Sequence, residues 1–130
     1  MLVDTSALLA FLLKADQHHR AAVAFVRNHP EVRFVLTSLI LSEVVTRMRA
    51  HAGADRAAAL GHSLLDAQRY DVVFVDTPLV RSALARLEQF DDKRLSLTDC
   101  ASFELMDRLG LDSAFTFDHD FRDCGYRMHP

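Results

Sequence analysis

The chain has 130 residues, a net charge of −3 with histidine neutral, half of its residues hydrophobic and a quarter charged. That is the size of one domain, so residues 1–130 are expected to fold as one; the composition is too apolar for disorder, and the negative balance argues against broad attraction to nucleic acid unless a bound cation supplies positive charge locally. Cys100 and Cys124 form no C-x-x-C pair, which removes zinc-ribbon and thioredoxin readings; no apolar run is long enough to span a bilayer, and with no basic segment ahead of a run that Asp4 interrupts, no leader is expected and a reducing cytoplasm fits.

Met1-Leu2-Val3 runs straight into Asp4-Thr5-Ser6 and then into an apolar helical pattern. This reads as a short buried strand turning into a helix over Ser6–Lys14, with Asp4, Thr5 or Ser6 as its cap. Asp16 is expected to cap a second helix, Gln17–Asn28, which Pro30 ends because the residue before proline avoids helical dihedrals. Arg33–Thr37 is aromatic and β-branched and reads as strand two. Ser38 is expected to cap a third helix that carries Glu43 in its early turns and stops at Gly53. Asp55 should cap a fourth, Arg56–Gln68. Val72–Val75 reads as strand three, and Thr77-Pro78 opens a helix with proline in its first turn. Asp91–Arg94 reads as a polar loop. Leu95–Asp99 leads into a helix that ends at Gly110. Ser113–Phe117 reads as strand four, followed by Asp118-His119-Asp120-Phe121, and Gly125–Met128 as a short edge strand.

Strands alternate with one or two helices throughout. The pattern predicts an α/β fold: a three-layer α/β/α sandwich around a mostly parallel sheet of about five strands, joined by right-handed crossovers.

Four acids then stand out by position. Asp4 ends strand one, Glu43 follows strand two, Asp99 begins the helix before strand four, and Asp118 ends strand four. All four are expected near the carboxyl edge of the sheet, where ligands bind in open α/β folds. Each has an apolar neighbour, and burying an unpaired acid is costly. Read singly, Asp4, Asp99 and Asp118 suit helix capping equally well, and Glu43 suits a solvated helix position. If they converge, carboxylates this close need a cation or must take up protons. Lys14 and Lys93 are the only lysines and neither is placed to balance them. Oxygen-only ligands suit Mg²⁺ or Mn²⁺, with Thr5, Ser6, Thr98 and Thr116 supplying hydroxyls to orient carboxylates. The histidines, His18-His19 and His119 among them, show no H-e-x-x-H spacing and read as surface or loop residues.

Four segments, taken in order, resemble the motifs of PIN-domain nucleases: Val3-Asp4-Thr5-Ser6-Ala7-Leu8, Ser42-Glu43-Val44, Leu97-Thr98-Asp99-Cys100-Ala101-Ser102-Phe103, and Thr116-Phe117-Asp118-His119-Asp120-Phe121. The match runs from Asp4 to Phe121, and the compact length looks most like a VapC-type toxin of a toxin–antitoxin pair. The resemblance implies an endoribonuclease dependent on Mg²⁺ or Mn²⁺, with Asp4, Glu43, Asp99 and Asp118 as catalytic and metal-binding carboxylates. Asp120 would be an outer ligand or peripheral, and Thr116 would orient the fourth acid. The implied chemistry is metal-activated water attacking an RNA phosphodiester, leaving 5′-phosphate and 3′-hydroxyl ends. The implied partners are RNA, a cognate antitoxin and a second copy of the chain, with no membrane. With so few lysines, RNA contacts would fall to arginines such as Arg47, Arg49 and Arg94, which also read as solvated surface. Two other classes stay open: a non-catalytic PIN-fold module binding RNA or protein, and a phosphoryl-aspartate receiver or phosphatase. The second lacks a lysine after a late strand and the second Asp of a DxD motif.

Overall fold

The computed structural model describes residues 1–90 and 94–130; of the polar loop expected over 91–94, Asp91, Asp92 and Lys93 lie outside the described residues. Five strands form one sheet: β1 (Leu2–Val3), β2 (Phe34–Thr37), β3 (Tyr70–Val73), β4 (Ser113–Phe115) and β5 (Arg127–His129). Their spatial order is β3-β2-β1-β4-β5, and every pairing is parallel. The helices are α1 (Thr5–Leu12), α2 (His19–Asn28), α3 (Ser38–Ala52), α4 (Ala54–Asp66), α5 (Thr77–Gln89), α6 (Leu97–Leu109) and α7 (Asp120–Asp123).

Side chains alternate across a strand, and here the alternation separates two cores. Val3, Phe34, Leu36 and Phe115 face one way and pack with Leu8, Phe25, Ile40, Val44 and Leu64 from α1 to α4. Leu2, Val35 and Ala114 face the other way and pack with Leu79, Ala83, Phe103, Met106 and Phe121 from α5, α6 and α7. Both faces of the sheet are therefore buried, as a wholly parallel sheet requires. This is the expected three-layer α/β/α sandwich. Arg86 ties α5 to α6. Its Nε donates to Glu104 at 2.7 Å, and its other nitrogens reach Asp107 and the Tyr126 hydroxyl.

Several boundaries move, each for a local reason. Strand three is Tyr70–Val73 rather than Val72–Val75: Tyr70 aligns with Phe34, while Phe74 runs past the end of the pairing and is 68% exposed. Strand four stops at Phe115 because the Thr116 hydroxyl accepts from the Asp118 N–H, which turns the chain. The last strand starts at Arg127, after the short α7 that sequence patterning does not register. Thr37, not Ser38, caps α3 by accepting from the Ile40 N–H at 3.2 Å; the Ser38 hydroxyl instead accepts from the Val75 N–H. The second helix starts at His19, with Asp16 accepting from the His18 N–H one step earlier. Gly53, at φ +90°, is the N-cap of α4, and Asp55 lies in its first turn.

The order in which strands are added reverses between β1 and β4, because the chain builds outward through β2 and β3 and then returns to the other side of β1, all strands staying parallel. The crevice beyond the carboxyl ends of β1 and β4 is the topological switch point, where such folds bind ligands.

Candidate active site

Asp4, Glu43, Asp99 and Asp118 all line one cleft of about 300 Å³ at this switch point. The expectation that acids distant in sequence gather at one edge therefore holds for all four. Thr5, Ser6 and Ser96 add hydroxyls to the walls, and Arg47 is the one cationic side chain lining the cleft among the described residues.

Asp4 leaves β1 with extended backbone (φ −91°, ψ 162°) and caps α1. It is 5% exposed. Its Oδ2 accepts from the Ser6 N–H at 3.0 Å, the Ser6 hydroxyl at 2.7 Å and the Thr116 hydroxyl at 3.2 Å. The capping role that sequence left open is thus real, but it does not exhaust the group, since a carboxylate offers about four lone-pair sites. Burial pushes the Asp4 carboxyl above the usual carboxylate range. Bonds from Ser6 and Thr5 pull it back, and the charge of Asp118 pushes it up further.

Glu43 sits in the second turn of α3 and is half-buried. Two threonines from different elements hold it. The Thr5 hydroxyl of α1 donates to Oε2 at 2.8 Å, and the Thr98 hydroxyl of α6 donates to Oε1 at 2.7 Å. Both threonines are buried.

Asp99 is the third residue of α6 and closes a capping box with Ser96. The Ser96 N–H and hydroxyl each donate to Asp99 Oδ2 at 2.7 Å, and the Asp99 N–H donates to the Ser96 hydroxyl oxygen at 3.0 Å. The S-x-x-D spacing at 96–99 carries this signal in sequence, yet Ser96 is absent from the residues the motifs single out. Burial raises the Asp99 carboxyl, the Ser96 bonds lower it, and the charges of Asp4 and Asp118 raise it again.

Asp118 follows the turn after β4, and its Oδ1 accepts from the Asp120 N–H at 3.0 Å. Asp120 heads α7 and does not line the cleft. Thr116 donates to Asp4 rather than to Asp118, and Asp118 bonds to it through its backbone N–H alone. Its hydroxyl therefore couples the first acid to the fourth motif.

Arg49, Arg94 and His119 are exposed and lie outside the cleft. His19 is engaged with the Ala10 carbonyl at 2.8 Å, and His18 stacks on Phe117 with ring centroids 4.3 Å apart. Cys100 is buried in the core and Cys124 is half-buried.

The donor set tests whether a cation suits the site. Apart from Arg47 the polar side chains are all oxygen donors, and the charges of Asp4, Asp99 and Asp118 oppose one another, which matches a hard divalent ion. Among the described residues no group of three or more His, Cys, Asp or Glu side chains is arranged to hold a metal ion alone. Mg²⁺ dehydrates reluctantly and is usually held through one or two carboxylates and several waters. Carboxylates that line one cleft without closing a cage are compatible with an ion held partly through its own waters.

A family model described as PIN domain matches residues 1–125. The chain is 30% identical over 125 residues to the 23S rRNA-specific endonuclease VapC20 of Mycobacterium tuberculosis, in strains CDC 1551 / Oshkosh and ATCC 25618 / H37Rv alike, a match covering 95% of this chain and 93% of that protein. The crystal structure of Mycobacterium tuberculosis VapC20, described as a sarcin–ricin loop cleaving toxin, superposes with a TM-score of 0.90 at 27% identity, covering 99% of this chain and 98% of that one.

Proposed function

This chain belongs to the PIN-domain family and to its VapC-type toxins, and we propose that it is an endoribonuclease whose cleft works with Mg²⁺ or Mn²⁺. The observation that carries the proposal is the meeting of Asp4, Glu43, Asp99 and Asp118 in one cleft. Likeness over nearly the whole length to an rRNA-specific endonuclease favours RNA as the substrate class.

In this reading Asp4, Glu43, Asp99 and Asp118 would hold the ion between them, directly or through its waters. Bound there, the ion would lower the pKa of an attacking water and neutralise charge on the phosphodiester. The chain's own residues do the rest. Ser6 and Thr116 fix the Asp4 carboxylate, Thr5 and Thr98 fix Glu43, and Ser96 fixes Asp99. Such outer partners orient metal ligands and keep a site pre-organised. The apolar frame beneath, with Val3, Val44 and Phe115 fully or nearly fully buried, limits water to the cleft side. The reading extends to a cognate antitoxin that blocks the cleft and to a homodimer, which family membership supports.

The test is cleavage of RNA by the purified chain with Mg²⁺ or Mn²⁺ and with excess EDTA. Asp4→Asn and Asp99→Asn should each abolish cleavage while circular dichroism stays native. Undiminished activity in either variant or in EDTA rejects the assignment.

A further inference from the structure

We propose that Arg47 is the phosphate clamp of this cleft: its guanidinium binds non-bridging oxygens of the single-stranded RNA backbone beside the phosphate held at the acids. The inference rests on the ribonuclease reading and goes beyond it by naming how an acidic protein holds a polyanion.

Arg47 lies four residues after Glu43 on α3, so both project from the same face of the helix. The separation along the axis is about 6 Å, comparable to the spacing of neighbouring phosphates on a strand. Arg47 lines the same cleft as the four acids. Yet it makes no hydrogen bond or ion pair with any described residue, although carboxylates share that cleft. Arg86 and Arg127 are paired with acids and Arg69 is bonded to the Val26, His29 and Val32 carbonyls, whereas Arg47 is uncommitted, as Arg20 and Arg49 are; its place on the cleft wall sets it apart from those two. An exposed, uncommitted guanidinium at the rim of an acidic cleft keeps all five donors for a ligand. Its planar fork matches a phosphate better than an ammonium does. An internal counter-ion for the acids would be drawn onto one of them, and this one is not.

The experiment compares wild type, Arg47→Ala and Arg47→Lys. Cleavage is measured across a range of salt concentrations, and binding of a labelled single-stranded oligoribonucleotide by anisotropy with Ca²⁺ present. Arg47→Ala should raise KM and weaken RNA binding about tenfold, with kcat changed less than about threefold. Its plot of log affinity against log salt should be shallower by about 0.7, the loss of one phosphate contact on a single strand. Arg47→Lys should keep the slope and lose part of the affinity. Mn²⁺ affinity by calorimetry should match wild type in both. Unchanged KM, binding and slope in Arg47→Ala would overturn the clamp while leaving the ribonuclease reading intact. A fall in Mn²⁺ affinity that tracks the loss of activity would overturn it in favour of a counter-ion. A wild-type chain that neither binds nor cleaves RNA would remove both.

Discussion

Thr98→Val isolates the clamp on Glu43. The substitution removes one hydroxyl, keeps the side-chain volume close, and leaves the backbone bond from the Ser102 hydroxyl to the Thr98 carbonyl untouched. What disappears is a 2.7 Å bond to a carboxylate oxygen. Hydrogen bonds to charged groups contribute about 1.5–3 kcal/mol, and about 1.4 kcal/mol is tenfold. Glu43 is half-buried, so water can partly replace the lost donor, which places the effect near the lower end. We expect Mn²⁺ affinity and kcat each to fall about tenfold, in line with the roughly 10–100-fold losses seen when outer partners of metal ligands are removed. Calorimetry with Mn²⁺ and single-turnover cleavage read the two quantities, and thermal unfolding checks that the fold survives. The decisive arm is a double-mutant cycle with Glu43→Gln, read in Mn²⁺ affinity because a slow variant leaves rates unmeasurable. If Thr98 acts through Glu43, its effect vanishes in that background. Wild-type affinity and rate in Thr98→Val, or an equal loss with and without Glu43, would refute the clamp.

The pH dependence has a definite sign. Asp4 and Asp99 are raised in the folded, ion-free chain, chiefly by burial, so their contribution to stability is fully present below the ordinary carboxylate range, at about 4, and is lost as pH rises through their raised values. In EDTA, Asp4→Asn should therefore gain in melting temperature relative to wild type as pH rises above about 4, and a constant difference would contradict the burial argument. The two tyrosines are a separate check. Burial raises Tyr126, and its 2.7 Å bond to Asp107 raises it further, to about 12 against the opposing charge of Arg86; burial also raises Tyr70. Their stabilisation is present below about 10 and lost as pH climbs through those raised values. Ultraviolet titration of Tyr70→Phe, which leaves Tyr126 as the one tyrosine, should show little tyrosinate near pH 10 in the folded chain, and ionisation there would disprove the packing around Tyr126.

The sheet was legible in the sequence because its signals are strong and local. Leu2-Val3 and the runs at 34–37 and 113–115 are apolar on both faces, as strands covered on two sides must be. Strand three misled by two residues because apolar content points to Val75, whereas pairing with β2 selects Tyr70 and Asp71. An edge strand tolerates an exposed Asp71, and only the partner's register reveals that. The four acids were legible because carboxylates with apolar neighbours, in this order, match the motifs of the family the chain belongs to. Their supports were less so. That Thr5 and Thr98 would grip the same carboxylate depends on α1 and α6 meeting at α3, which no local pattern encodes. Arg47 was one of three arginines offered for RNA contact, and only the cleft it borders separates it from Arg49 and Arg94.

Placing β1 at the centre of the sheet has a consequence for how the molecule comes into being. Residues 4 and 116 are joined by a hydrogen bond across nearly the whole chain, and Leu2 and Val3 pair with Ala114 and Phe115. β1 pairs with β2 early and must wait for β4, more than a hundred residues later, before its second neighbour arrives. Long-range parallel pairing of this kind closes late. A chain that folds as it is made therefore carries Asp4, Glu43 and Asp99 before Asp118 joins them, and the cleft they share is assembled only once β4 is in place.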